Sequence, residues 1–186
     1  MLDTAIELIT ERGVAGFSMA EASRRLGVAV AAPYRHFADR DEVLVALALR
    51  AVDGLSAVLG AEPGEAALPA ERLGAAAAGF VRFAAENRSL YLVLLTSGLD
   101  KSRHTELQAA GDRIGAAFLG PALALSDDDP AAAQRLITAV IAAAQGYAVM
   151  LLDGSFGEDP DAVDAAAAQA ANAVLALVHG RAAMTR

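Results

Sequence analysis

The sequence predicts an all-α protein with a three-helix N-terminal domain followed by a larger helical bundle. Hydrophobic residues make up 55% of the 186 residues, and many of them are alanine, the residue with the highest helix propensity. Apolar residues recur at spacings of three and four along most of the chain, whereas the alternation typical of strands is scarce. Both observations favour helices from one end of the chain to the other.

The first two helices are marked at both ends. Apolar residues at helical spacing over 2–9 predict the first helix, which Gly13 ends. Ser18, followed three residues later by Glu21, forms a capping box that predicts the start of the second helix. Gly27 ends that helix after about two turns. The residues that we expect to face inward on the second helix are Met19, Ala22 and Leu26.

A short third helix and a long fourth helix follow. The turn after the second helix is expected to bury Val28, and the third helix is predicted at Val30–Phe37. Together with the first two helices, this arrangement predicts a helix-turn-helix unit. Asp39 and Glu42 predict the cap of the fourth helix, whose apolar stripe continues to about Leu59.

The stretch 61–69 contains two prolines and a glycine, which is typical of a linker. We place the domain boundary nearby, which predicts domains 1–52 and 53–186 with the fourth helix bridging them. Beyond the linker only helical patterns are found.

The last two helices carry apolar residues at alternating spacings of four and three. Such spacing is typical of helices that pack nearly parallel, as in four-helix bundles. A helix with two such stripes can face its own core and a second subunit, so we favour a homodimer over a large monomeric core. The predicted dimer-interface residues are Val140, Ala143, Tyr147, Met150, Val163, Ala167, Ala170, Val174 and Leu177.

Composition limits the chemistry that the chain can perform. There is no cysteine, and the three histidines lie far apart in the sequence without metal-ligand spacing. No glycine-rich phosphate loop follows a strand. We therefore expect no catalytic residues, no metal site and no cofactor. The charge-free segment 136–152 is shorter than the ~20 residues of a membrane span, and the N-terminus does not resemble a signal peptide. A cytoplasmic protein without a membrane partner is expected.

The net charge of −8 argues against a nucleic-acid partner for the chain as a whole. The charge is unevenly distributed, however. Residues 18–40 contain four arginines and two carboxylates, a net charge of +2, so the rest of the chain carries −10. A local basic surface on an acidic body is therefore permitted.

The segment FSMAEASRRLGVAVAAPYRHFADRDEVL (17–44) resembles the DNA-binding signature of the TetR family of transcriptional regulators. The resemblance covers residues 1 to about 50 in order. In that family a capped short helix and a Gly-Val turn precede a recognition helix that ends in Tyr-x-His-Phe, and a basic residue follows. The matching positions here are Ser18, Gly27, Val28, Tyr34, His36, Phe37 and Arg40.

The resemblance implies roles for these residues. Tyr34 and His36 would hydrogen-bond phosphate oxygens, and Arg40 would add a charge-assisted contact. Backbone amides at the capped end near Ser18 would also face phosphate. Base reading would fall to Ala29, Val30, Ala31, Ala32 and Arg35. Because Ala29 and Val30 stand where the family commonly has polar residues, we expect modest affinity and a weak dependence on salt.

The second half resembles the ligand-binding and dimerisation part of the same family, in the branch named for a Trp-x-x-His-Gly-like segment. The similar stretches are AAENRSLYLVLL and AAAQGYAVMLLDGSF. The resemblance implies a homodimer with a mostly apolar effector pocket, although each candidate residue is also consistent with plain core. The candidates are Phe80, Phe83, Tyr91, Leu95, Phe118, Gln145 and Tyr147.

The function that these patterns favour is a homodimeric repressor that binds a palindromic operator and is released by a small, mostly apolar effector. The alternative is a helical protein that binds a small molecule or a protein partner and whose helix-turn-helix has lost DNA binding. The nearly apolar run Ala29–Pro33 motivates this alternative.

Overall fold

The computed structural model describes residues 1–60, 67–157 and 159–180, except for the side chain of Lys101. This part of the chain forms eight α-helices and no strand, which confirms the all-α class. Of the linker predicted at 61–69, residues 61–66 lie outside the described residues. The helices are α1 (Leu2–Arg12), α2 (Met19–Leu26), α3 (Arg40–Gly60), α4 (Pro69–Glu86), α5 (Arg88–Thr96), α6 (Thr105–Ala124), α7 (Pro130–Leu152) and α8 (Ala162–His179).

The ends of α1 and α2 lie where the sequence predicts them. Gly13 follows α1 with a φ of 71°. The Ser18 hydroxyl accepts a hydrogen bond of 3.2 Å from the backbone N–H of Glu21 and so caps α2. Gly27 follows α2 in the left-handed conformation, with φ 68° and ψ 26°, which glycine adopts without steric cost. These local signals therefore define the first two helices.

The third helix differs from the prediction. Instead of a regular helix over Val30–Phe37, the structure contains a single turn of 3-10 helix, Pro33–Arg35. Pro33 lacks the N–H that an α-helix needs at this position, and its ring would clash with the carbonyl of Ala29, four residues earlier. The chain is held by short-range bonds instead, among them the bond from the His36 N–H to the Pro33 carbonyl at 2.9 Å.

The start of α3 is capped reciprocally. The backbone N–H of Glu42 donates to Asp39 Oδ1 at 3.0 Å, and Glu42 Oε2 accepts from the N–H of Ala38 at 2.6 Å. The predicted cap is thus confirmed. A buried stripe runs along α3 from Val43 to Leu59.

Two compact units are formed. The first contains residues Met1–Asp53 and Asn87–Gly111, so α5 joins the N-terminal helices. Within it, α1 packs against both α2 and α5. The expected division into domains 1–52 and 53–186 stays a prediction.

The second unit comprises the described residues of Gly54–Glu86 and Asp112–Arg186. Here α4 lies against α7 and α8, which also contact each other. The helices α4 and α8 approach closely at Gly74 of α4, where a Cβ would lie 3.4 Å from the Ala171 carbonyl oxygen. The small size of Gly74 allows α4 and α8 to pack this tightly.

Three helices, α3, α7 and α8, are long and apolar enough to cross a membrane when judged by length and composition alone. In the fold, each of them buries one apolar face against other helices. Packing within a helical bundle therefore accounts for part of their apolar content, and exposed residues remain on α7 and α8.

Candidate nucleic-acid interface

The connecting segment (residues 28–38, between α2 and α3) displays apolar side chains at the surface. Val30 is 51% exposed and Tyr34 is 52% exposed, whereas Pro33 is buried and anchors the 3-10 turn. The structure thus places the residues predicted to read DNA where a ligand can reach them. The other predicted contact residues of the segment are also exposed or half-buried: Ala29, Ala31, Ala32, Arg35 and His36.

The expectation that Leu26 and Val28 are buried was wrong. They are 42% and 45% exposed. Because α2 has only about two turns, it buries few residues, which are Met19, Ala22 and Ser23. The Ser23 hydroxyl donates to the Met19 carbonyl at 2.9 Å, which satisfies a buried polar group. Leu26 and Val28 therefore extend the apolar surface of the connecting segment.

Carboxylates of α1 and α2 neutralise three arginines of the N-terminal unit. Arg25 makes two hydrogen bonds of 2.7 Å to the carboxylate of Glu11. The pKa of Glu11 is lowered chiefly by this hydrogen bond. Arg24 and Arg12 both pair with Glu21, and the distance from Arg12 to Glu21 is 3.6 Å. These three guanidinium groups are therefore held by the fold of the unit.

Arg35 is different. Its side chain is exposed, and its guanidinium has no hydrogen-bond or ion-pair partner among the described residues. Elsewhere in 1–53, Arg50 pairs with Asp3 at 2.6 Å and Arg40 binds backbone carbonyls. Within this part of the chain, Arg35 is thus the arginine whose whole guanidinium remains available to a ligand.

Two predicted phosphate contacts, Ser18 before α2 and Arg40 at the start of α3, both bond to the backbone around the start of α2. The Ser18 hydroxyl caps α2. Arg40 Nε donates to the carbonyl of Phe17 at 3.1 Å, and its Nη2 donates to the carbonyl of Val14 at 2.6 Å. Two of the five N–H donors of Arg40 are thus used within the protein, and the predicted phosphate contacts stay a prediction.

The residues predicted to line an effector pocket divide between the two units. Tyr91 and Leu95 belong to the first unit and the others to the second. Leu95 is 42% exposed. Burial raises the pKa of the Tyr91 hydroxyl. Gln145 and Tyr147 are half-buried, and the Tyr147 ring lies 6.2 Å from that of Phe156. The fully buried candidates of the second unit are Phe80, Phe83 and Phe118.

The predicted dimer residues also divide into two groups. Four of them are 0% exposed and pack inside the protomer, which corrects the expectation that they face a second subunit: Val140, Ala167, Ala170 and Val174. Their stripes face the core that α7 and α8 share with α4. Met150 is 46% exposed. The remaining predicted residues are half-buried: Ala143, Tyr147, Val163 and Leu177.

The outward faces of α7 and α8 were missed by the sequence reasoning. Their residues also recur at spacings of three and four, but they are small or polar, so a search for apolar stripes passes over them. This pattern, displaced from the buried stripe, is the signal that could have identified them. The exposed residues are Arg135, Thr138, Ala142, Gly146 and Val149 on α7 and Ala165, Gln169, Asn172 and Ala176 on α8.

Solved structures with similar folds include regulators of the TetR family and a protein of unknown function. A TetR family transcriptional regulator, PfmR from Thermus thermophilus, is 23% identical, with a TM-score of 0.70 over 94% of this chain and 96% of that one. A protein of unknown function from Rhodococcus sp. RHA1 is 26% identical, with a TM-score of 0.71 over 94% and 91%. A regulatory protein in the tetR family from Rhodococcus RHA1 is 19% identical, with a TM-score of 0.74 over 95% and 94%.

Family sequence patterns match both halves of the chain. The pattern of bacterial regulatory proteins of the tetR family matches residues 1–47, and that of the tetracyclin repressor-like C-terminal domain matches residues 73–174. A comparison with curated proteins finds no match. The resemblance of the second half is confirmed at the level of the family, and its finer branch stays a prediction. Because the second match alone spans more than half of the sequence, the chain belongs to the TetR family of DNA-binding, non-enzymatic transcriptional regulators.

Proposed function

We propose that the chain is a homodimeric, cytoplasmic repressor that binds a palindromic operator and leaves it when a small, mostly apolar effector binds. The observation that carries the DNA-reading part is the connecting segment, which combines exposed apolar side chains with the guanidinium of Arg35, unpaired among the described residues. A charged donor and apolar groups on one short segment suit base edges in the major groove, where guanine acceptors and thymine methyl groups are presented.

Within the segment the side chains divide the work. Arg35 makes a bidentate contact to one guanine, while Ala29 and Val30 contact thymine methyl groups. Ala31 and Ala32 are small and let the backbone approach the base edges. The remaining polar contacts, Tyr34 and His36, hydrogen-bond phosphate oxygens and set the position of the protein without reading sequence.

The net negative charge of the protein limits its affinity for DNA. The net charge of −8 repels DNA, and most arginines of the N-terminal unit are already paired with carboxylates. Few counterions are released when few phosphates are neutralised, so affinity depends weakly on salt. Operator binding is therefore best measured at low ionic strength.

The experiment that tests this function compares Arg35→Ala with Arg50→Ala. Both variants remove one exposed arginine, but Arg50 lies on α3 and pairs with Asp3. A footprint of the wild-type protein on the flanking intergenic DNA identifies the operator, and fluorescence anisotropy then measures affinity for it and for a scrambled duplex. Losing one bidentate guanine contact costs ~1–3 kcal/mol on the operator only, and Arg50→Ala leaves the preference unchanged.

Two outcomes of that experiment contradict the proposal. The absence of any wild-type footprint at low salt points to the alternative, a helical protein whose helix-turn-helix no longer binds DNA. Equal losses on operator and scrambled duplex for Arg35→Ala remove Arg35 from base reading.

The outward faces of α7 and α8 are proposed as the dimer interface. Ala142 and Gly146 are exposed and small, so a second pair of helices can approach closely there. In a dimer, two connecting segments would meet successive major grooves about one turn apart, ~34 Å, which matches a palindromic operator. The half-buried residues Ala143 and Tyr147 border this face.

Light scattering coupled to gel filtration tests the interface. Ala142→Glu places a carboxylate in the proposed contact and is expected to yield a monomer. Ala117→Glu adds the same charge to an exposed alanine of α6 and serves as the matched control. A dimer that persists in Ala142→Glu shows that another surface pairs the subunits.

The effector part of the proposal is supported by the family and by the buried aromatic residues of the second unit. Phe80, Phe83 and Phe118 are buried apolar side chains of the kind that line ligand pockets. An effector releases DNA only if it prefers the conformation that binds DNA poorly. Addition of apolar compounds to the protein–operator complex, followed by anisotropy, tests this, and compounds that bind the protein without changing operator affinity argue against an effector role.

A further inference from the structure

The side chain of Arg40 links the start of α3 to a turn that lies far away in the sequence. Its Nε donates to the Phe17 carbonyl at 3.1 Å, and its Nη2 donates to the Val14 carbonyl at 2.6 Å, 26 residues back along the chain. The guanidinium carbon also lies 6.0 Å from the centroid of the Phe17 ring, a cation–π distance. We call this arrangement the Arg40 bridge (Arg40 with Val14 and Phe17).

The Arg40 bridge competes with a phosphate contact. Val14 and Phe17 are 5% and 2% exposed, so their carbonyls depend on partners inside the protein. Breaking the bridge to bind DNA would take the Arg40 donor away from the buried Phe17 carbonyl, whereas the Val14 carbonyl would keep a bond of 3.2 Å from the Phe17 N–H. The third nitrogen, Nη1, lies 3.7 Å from the carboxylate of Asp41, which repels a phosphate. The bridge uses two of the five N–H donors of the guanidinium, and the edge that remains for a phosphate includes Nη1, beside Asp41.

We propose that Arg40 is a positioning residue for DNA reading and not a phosphate ligand. The bridge joins the turn before α2 to the first residue of α3, and the connecting segment runs between these two helices. Both ends of the segment are thereby held in one arrangement, which sets the register of Val30 and Arg35 on DNA. This inference rests on the proposed DNA-binding function.

The geometry of one peptide extends the argument to α2. The peptide bond between Phe17 and Ser18 is trans, so the N–H of Ser18 points opposite to the Phe17 carbonyl. Because that carbonyl is directed at Arg40, the Ser18 N–H is directed away from it. The bridge thus fixes the orientation of the backbone at the start of α2, where the proposed phosphate contact of Ser18 lies.

The test uses Arg40→Gln and Arg40→Lys, with Arg50→Gln as a control that removes the same charge elsewhere on α3. The DNA is the duplex that the wild-type protein selects from random sequences, together with a scrambled version. Affinities are measured over a range of salt concentrations at a temperature where circular dichroism shows every variant folded. Hydrogen exchange at 14–18 is measured in parallel.

Both Arg40 variants are expected to lose preference for the selected duplex by tenfold or more and to exchange faster at 14–18. The slope of log affinity against log salt should stay at the wild-type value in both. A phosphate ligand behaves differently: Arg40→Gln then lowers the slope by about 1 and Arg40→Lys restores it. That result, or equal losses on both duplexes without faster exchange, overturns the inference.

A measurement on the wild-type protein covers the case in which a variant fails to fold. The Nε–H of Arg40, observed by NMR, should stay protected and unshifted when the selected duplex is added. Its release or a large shift on DNA binding overturns the bridge. If the wild-type protein selects no duplex at all, the proposed function is refuted. If it selects a duplex but the Arg40 variants behave as expected for a phosphate ligand, only this inference is refuted.

Discussion

The contact between α1 and α5 contains an unequal pair of hydroxyl groups. Thr10 Oγ1 lies 2.6 Å from Ser89 Oγ and 2.8 Å from the Ile6 carbonyl oxygen. Because the Thr10 proton is donated to Ile6, Ser89 is the donor between the two hydroxyls. Ser89 is 6% exposed, whereas Thr10 is exposed. The two hydroxyls therefore differ in what happens when their partner is removed.

Thr10→Val keeps the shape of the side chain but leaves the buried Ser89 hydroxyl without its partner, which costs ~1–3 kcal/mol of unfolding free energy. Ser89→Ala leaves Thr10 bonded to Ile6 and open to water, so the loss is that of one ordinary hydrogen bond, ~0.5–1.5 kcal/mol. In the double variant no buried hydroxyl is stranded. The double variant should therefore be less destabilised than the sum of the two single variants, by ~1 kcal/mol.

Urea unfolding of the four proteins, followed by circular dichroism, measures this cycle. Two-state behaviour is checked with tyrosine fluorescence as a second probe, since the sequence contains no tryptophan. Additive single effects, or a greater loss from Ser89→Ala than from Thr10→Val, would refute the assignment of Ser89 as the buried donor.

Two further predictions concern packing and charge. Gly115→Ala on α6 should raise the free energy of unfolding by ~0.5–1 kcal/mol, because its Cβ meets no atom within 4 Å and alanine favours helix. Gly74→Leu should lower the free energy of unfolding by ~1–3 kcal/mol, because a Cβ at this position would already lie 3.4 Å from the Ala171 carbonyl oxygen. Urea unfolding measures both variants, and similar effects from the two substitutions would contradict the packing argument. Since the pKa of Glu11 is lowered in the fold, its contribution is present above the usual value of 4.5 and is lost as the pH falls through the lowered pKa. In Arg25→Gln the melting temperature should fall less steeply on acidification through that range than in the wild-type protein, and an identical pH profile would show that the pair contributes nothing.

Local signals in the sequence were sufficient for the N-terminal helices. Ser18 caps α2, and Asp39 with Glu42 caps α3, as predicted. A cap depends on a side chain and a backbone N–H two or three residues away, so the sequence contains all of its parts. The predicted helix over Val30–Phe37 was wrong because the spacing of apolar residues does not reflect the N–H that Pro33 lacks.

The candidate site was only partly predictable. The exposure of Tyr34 and His36 follows from their place in a short connection between helices. The availability of Arg35 does not, because it depends on where the carboxylates Glu11 and Glu21 lie in space. The same holds for Arg40, whose partners are backbone atoms 23 and 26 residues away.

The sequence by itself determined the helical class, the family and the limits of the first helices, since helix propensity, capping and a contiguous motif are all short-range properties. Only the tertiary structure decided which apolar stripes face the core and which arginines remain free. The apolar stripes that contain Val140 on α7 and Val174 on α8 look the same in sequence whether they meet α4 or a second subunit. Only the packing of the helices distinguishes these two possibilities. Burial and ion pairing depend on distances between residues that are remote in the chain, and the spacing of residues within one helix does not determine those distances.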